Sequence, residues 1–192
     1  IAGNSAIDSM IKISLTEIGS QRVADRVLKR LNSVKDNLPK LHVYREILLG
    51  LWASRQDFSP EYETEIESMT PDWTVRTQTC DFILEVVSIH NRQEIIKEIE
   101  TMPELDPTVF NTDFTFILGK AHCRIKDKVS KYKDLNYPLV LGVHFDFDAC
   151  VSPDDWKSLA DFVRNGSFLP CLSGVVLFDD QLHLEWIENT AA

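Results

Sequence analysis

Two acids thirteen residues apart, Asp72 and Glu85, offer the clearest chemistry in the chain. They lie in Pro71-Asp72-Trp73-Thr74-Val75-Arg76-Thr77-Gln78-Thr79-Cys80-Asp81-Phe82-Ile83-Leu84-Glu85-Val86-Val87, which holds two β-rich runs around a short polar stretch. Pairing the runs through an even-numbered loop at 77–80 sets Trp73 opposite Leu84 and Val75 opposite Phe82, an apolar face. The other face then sets Arg76 against Asp81 as an ion pair, Thr74 against Ile83, and Asp72 against Glu85. A shift of one residue would mix the two faces. Directly opposed residues hold their Cβ atoms about 4.5–5.5 Å apart. Two carboxylates so close repel unless one is protonated or a cation lies between them. A hard divalent ion, Mg²⁺ or Mn²⁺, is the natural occupant, because such ions take one or two carboxylates plus water and substrate phosphate. An acidic pair tolerated at a solvated sheet edge is the plainer alternative. The loop contains neither glycine nor asparagine.

The elements that must position these acids follow from periodicity. Ser14-Leu15-Thr16-Glu17 has capping-box spacing and predicts a helix from there, with Val23, Val27, Leu28, Leu31 and Val34 continuing it to about Lys35. Pro39 separates it from a second helix at about 41–54. Strand-like alternation follows at 62–66, then strands at 73–76 and 80–89, a short helix at 92–101 and a loop at 102–112. A long helix spans 113–134 and a buried strand 139–145. Ser152-Pro153-Asp154-Asp155 opens another helix, Asn165-Gly166 closes it, and strands at 174–178 and 182–187 end the chain. The order predicts an α/β fold with a central sheet, and its lack of regular βαβ alternation argues against a doubly wound one.

Composition excludes several classes. The 192 residues are 44% hydrophobic and 26% charged, as in globular chains. The 7 glycines never fall closer than eight residues, so no GxGxxG, P-loop or GxSxG turn exists. Four scattered cysteines without CxxC, and histidines without HExxH, argue against zinc and disulfide frameworks and fit a reducing cytoplasm. No apolar run reaches membrane-spanning length, no signal segment opens the chain, and no membrane partner is expected. The initial isoleucine is expected of a processed, tagged or excised start. The net charge of −10 disfavours non-specific polyanion binding but conceals strong segregation. Residues 20–55 carry eight Lys/Arg against three acids and residues 120–133 six against one, whereas residues 57–113 carry fourteen acids against three bases.

Pro71-Asp72, a short hairpin and Phe82-Ile83-Leu84-Glu85-Val86 together resemble the signature of the PD-(D/E)XK nuclease superfamily, the restriction-endonuclease-like fold. Arg124-Ile125-xx-Lys128-xx-Lys131-Tyr132-xx-Leu135-xx-Pro138-Leu139-Val140 resembles the helix and following strand of its divergent members, and Ser173–Phe178 their closing strand. The resemblance covers about residues 41–189. It implies an αβββαβ core with a mixed central sheet flanked by helices, placed in residues 41–192 and preceded by a helical extension at 1–40. It implies further that Asp72 and Glu85 hold Mg²⁺ (or Mn²⁺) for phosphodiester hydrolysis, that nucleic acid is the partner, with Arg124 and Lys131 on its backbone, and that a homodimer is compatible with the fold. Glu46 occupies the helix on which the family often places an accessory acid. Its position opposite the apolar centre of that helix instead predicts a solvated glutamate.

The family's third catalytic position, a lysine two residues after the acid, is Val87 here. Either an amine has relocated or activity is lost. Lys128 is the candidate, because on a helical wheel it falls inside the stripe formed by Phe114, Ile117, Leu118, Ala121, Ile125, Val129 and Tyr132. A lysine directed at a core either serves a site or packs its stem and turns its amine outward. Lys126 falls on the outer face. Glu63 reads as an exposed strand residue, His90 as a loop histidine, Asp146 and Asp148 as turn residues, and Trp52, Trp73, Trp156 and Trp186 as packing. Two functions follow: a metal-dependent nuclease using Asp72, Glu85 and Lys128, with basic segments 22–45 and 120–133 on the backbone, or a catalytically inactive module binding nucleic acid or protein. A carboxylate-pair glycosidase fits the acids but gains nothing from the rest of the chain.

Overall fold

Gly19 divides the amino-terminal helical stretch in two. In the computed structural model it adopts φ +71°, and Ser20 behind it is extended, its Oγ accepting from the Val23 N–H at 3.4 Å. Helix α1 therefore runs Asn4–Ile18 and α2 Gln21–Ser33. The expected single helix capped at Ser14 is corrected: Ser14 is buried inside α1, and the cap is Ser20, which can shed helical geometry because glycine precedes it. Residues 4–34, 37–89, 114–145, 157–158, 160–161, 164–165, 172–179 and 184–188 are described.

Helix α3, Asn37–Arg55, begins four residues earlier than its sequence suggests, because Pro39 falls in the first turn, where no backbone N–H is required. Residues 43–51 of α3 are buried without a break. Both α1 and β1 pack against it, and this central stretch has no solvated side.

Strands β1 (Ser59–Tyr62), β2 (Trp73–Arg76) and β3 (Asp81–Ile89) form an antiparallel meander. The β2–β3 register is the expected one, with Trp73 opposite Leu84, Thr74 opposite Ile83, Val75 opposite Phe82 and Arg76 opposite Asp81. The glycine-free loop is organised by Thr77, whose Oγ1 accepts from the N–H groups of Thr79 (3.2 Å) and Cys80 (3.0 Å) and donates to the Cys80 carbonyl (2.6 Å). Two expectations are corrected. The first strand occupies 59–62 rather than 62–66, because Glu63 turns to φ +45° and leaves extended geometry. Arg76 pairs with Glu61 (3.3 Å) instead of Asp81: β2 lies between two strands, and the diagonal acid on β1 is within reach.

Helix α4 (Phe114–Tyr132), β4 (Leu139–Phe145), β5 (Leu172–Phe178) and β6 (Leu184–Glu188) follow. The strands make one six-stranded mixed sheet in the order β1-β2-β3-β4-β5-β6, so the molecule is α/β. By contacts the chain divides into two compact units, residues 1–86 with 135–140 and residues 87–134 with 141–192. In the first, Trp73 is fully buried over Gly50 of α3, and its Nε1 donates to the Glu46 carbonyl at 2.8 Å. In the second, Ala121, Ile125, Val129 and Tyr132 are the buried stripe of α4, and β5 pairs with β6 as an antiparallel hairpin. Among the described residues no helix is long and apolar enough to cross a membrane.

Candidate functional site

Asp72 immediately precedes β2 and Glu85 lies on β3, one step beyond the last register pair. Two hydrogen bonds tie them together. The Asp72 N–H donates to Glu85 Oε1 at 3.3 Å, and the Val86 N–H donates to Asp72 Oδ2 at 2.8 Å. Each acid thus has an oxygen held by backbone, which fixes the side chain. Asp72 is half-buried and Glu85 only 1% exposed. Residues on both faces of β3 are buried, so a solvated sheet edge does not describe this pair. Thr74, on the Asp72 side of β2 by alternation, is also buried, and its Oγ1 has no hydrogen-bond partner among the described residues.

Glu46 adds a third carboxyl, and here the expectation is corrected: it is fully buried, not solvated. The wheel assumed a wet face that the middle of α3 does not have, since residues 43–51 are buried on every side. Glu46 Oε1 accepts from Arg30 Nη2 at 3.0 Å and faces His42 Nε2 at 3.3 Å, while Oε2 accepts from the Tyr62 hydroxyl. Arg30 also binds the Glu63 carboxylate, so Glu63 lines this cluster rather than an open strand face. Arg26 donates to the Tyr62 carbonyl and to Thr64 Oγ1 (2.9 Å), and the Glu63 N–H donates to the Asp72 carbonyl at 3.0 Å. A continuous set of bonds therefore runs from α2 through the 62–64 corner to Asp72.

Burial pushes the Glu46 carboxyl up to about 8, and repulsion from Asp72 adds to the rise. Arg30 and the Tyr62 hydroxyl oppose it. Burial prevails because Arg30 divides its charge between Glu46 and Glu63 and is itself partly open to water. Burial, followed by the Glu46 charge, raises the Tyr62 phenol above its ordinary range and keeps it a donor. Burial opposes the charge of Arg30, but Glu46, Tyr62 and Glu63 outweigh that and hold the guanidinium above its usual value.

The structure brings Asp72 and Glu85 together and adds Glu46, Arg30 and Tyr62, all in the first unit. Lys128, on α4, is half-buried at the margin of the apolar stripe and belongs to the second unit, as do the exposed Arg124 and Lys131. Lys131 Nζ bonds the Tyr132 hydroxyl at 2.7 Å. Val87 is a buried core residue, 3% exposed. His90, Asp146, Asp148 and Trp156, with the helices expected at 92–101 and 152–166 taken as whole elements, lie outside the described residues. Glu46 carried a legible signal, a charged residue beside Arg45 between the apolar pair Val43-Tyr44 and the apolar run Ile47-Leu48-Leu49. Arg30 and Tyr62 carried none, since only the fold brings them to it.

Among the described residues no three His, Cys, Asp or Glu side chains form a ready-made metal cage. A divalent ion at Asp72 and Glu85 would complete its shell with water and substrate oxygens, the usual habit of Mg²⁺. The buried, unpartnered Thr74 hydroxyl and the backbone-fixed carboxylates fit such an ion. No protein-family model, no curated protein and no solved structure matches the chain.

Proposed function

We propose that this protein hydrolyses phosphodiester bonds of nucleic acid at Asp72 and Glu85, as a divergent PD-(D/E)XK-like enzyme dependent on Mg²⁺ or Mn²⁺. The observation that carries the reading is the acid pair, nearly dry on the Glu85 side and locked by the Val86 and Asp72 N–H groups. When bound there, the ion would polarise a phosphate oxygen and supply hydroxide at neutral pH. Asp72 and Glu85 would hold the ion, and the phosphate would meet them only through it. Glu46, protonated near neutrality, keeps a third negative charge away from the substrate phosphate. A cytoplasmic setting fits the exposed free thiols of Cys80 and Cys123.

Val87 favours a second reading, a catalytically inactive module on the same fold. Incubation of purified protein with single- and double-stranded DNA and RNA, with Mg²⁺ or Mn²⁺, separates the two. Cleavage lost in Asp72→Asn and Glu85→Gln, with both variants folded, supports the enzyme. No cleavage by the wild-type protein on any of these substrates gives the inactive module.

A further inference from the structure

A cavity of about 500 Å³ opens beside this site, lined by Arg26, Lys29, Arg30, Ser33 and Glu63. Helix α2 supplies four of the five residues, because positions 26, 29, 30 and 33 recur at helical spacing on one side while Val23 and Val27 face the core. Three bases meet one acid, a local surplus of positive charge in a chain whose net charge is −10. Arg26 and Arg30 are held in place by Thr64, Tyr62, Glu46 and Glu63, so their charge is presented without a large ordering penalty. Lys29 is exposed. The Ser33 hydroxyl donates to the Arg30 carbonyl at 2.6 Å. The volume lies within the range of small-ligand sites, enough for a sugar-phosphate unit. Glu63 reaches its position from a φ of +45°, a conformation that non-glycine residues seldom adopt. Its carboxylate occupies the Arg30 guanidinium that an incoming anion would want.

We infer that this cavity is a backbone-phosphate subsite for a nucleic-acid strand, and that Glu63 is a placeholder which the phosphate displaces from Arg30. The inference rests on the nuclease reading for the identity of the anion and deepens it, because Glu63, which lines the cavity and pairs with Arg30, donates its N–H to the Asp72 carbonyl at 3.0 Å. A strand anchored at Arg26, Lys29 and Arg30 therefore lies next to the acid pair. Lys29 is the contact whose loss leaves the fold intact, and Glu63 is the residue whose neutralisation should help.

Fluorescence-anisotropy titrations of labelled single- and double-stranded DNA and RNA oligonucleotides, in EDTA and over a range of salt, test this without any chemistry. Lys29→Ala should weaken binding and lower the slope of log affinity against log salt by about one, the loss of one phosphate contact. Glu63→Gln should tighten binding several-fold. Lys12→Ala, which removes an exposed charge on α1, should do neither. Opposite signs for the two cavity variants support the subsite, since structural damage would weaken both. Wild-type-like binding by both variants, or no oligonucleotide binding by the wild-type protein, overturns it. Binding with this pattern but without cleavage in Mg²⁺ or Mn²⁺ keeps the subsite and removes the catalytic reading.

Discussion

An ionised Glu46 would have to surrender its hydration shell inside α3 and face the charge of Asp72, so the carboxyl keeps its proton to about pH 8. Its pKa is raised in the folded protein above the ordinary 4.5. The unfolded chain therefore releases this proton first as pH rises, and folding loses stability across that interval. The Glu46 contribution should be complete below about pH 4.5 and lost as pH climbs through about 8. Glu46→Gln keeps the neutral form's shape and removes the titration. Denaturant melts at a series of pH values should show the variant gaining on the wild-type protein between those limits. Parallel curves would mean that Glu46 is ionised throughout.

At the scale of elements, the contact of α3 with β2 depends on one glycine. A Cβ at Gly50 would lie 2.1 Å from Trp73 Cζ2, and the indole is fully buried and pinned by its Nε1 bond to the Glu46 carbonyl. Neither partner has room to yield. Gly50→Ala should destabilise the protein by about 1–3 kcal/mol or more through overpacking, read as a lower denaturant midpoint, although alanine is the better helix former. The β2–β3 loop depends on a hydroxyl rather than on glycine. Thr77→Val removes three hydrogen bonds to backbone, together with the Oγ1–Oγ1 contact to Thr79, and should cost about 1–2 kcal/mol. Thr79→Val, which removes only the Oγ1–Oγ1 contact to Thr77, should have little effect by the same measurement.

For the whole molecule, a ligand that binds only the native state stabilises by mass action. Mg²⁺ or Mn²⁺ at a hundred times its dissociation constant should add about 2.7 kcal/mol. For a chain of this length that raises Tm by roughly 5–10 °C. Differential scanning fluorimetry should show the shift in the wild-type protein and its loss in Asp72→Asn and Glu85→Gln. Charge segregation works at the same scale. The basic run of α2 and the acidic run that carries Asp72 are distant in sequence yet meet at the Arg30–Glu63 pair. A phosphate-binding surface can therefore exist on a chain whose summed charge would repel one.

The meander register was legible in the sequence because it is a short-range matter: alternation has a period of two, and only one pairing of 73–76 with 81–84 sorts the apolar side chains to one face. That register brought Asp72 to Glu85 without reference to any distant residue. Strand 139–145 was readable for a similar reason, as a continuous apolar run of strand length. The break at Gly19–Ser20 was also written in local chemistry, but the capping-box spacing at Ser14 competed with it, and only the packing of α1 on α3 buries Ser14 inside a helix. Glu46 shows where local reading ends. A wheel assigns faces relative to one partner, whereas α3 has partners on opposite sides, and a helix enclosed in this way turns a nominally outward glutamate into a buried acid. Its raised pKa, its bonds to Arg30 and Tyr62, and the basic cavity beside it all depend on segments 16 or more residues away in the chain. Such side chains meet only when tertiary packing removes water from between them, and no periodicity in the sequence encodes that meeting.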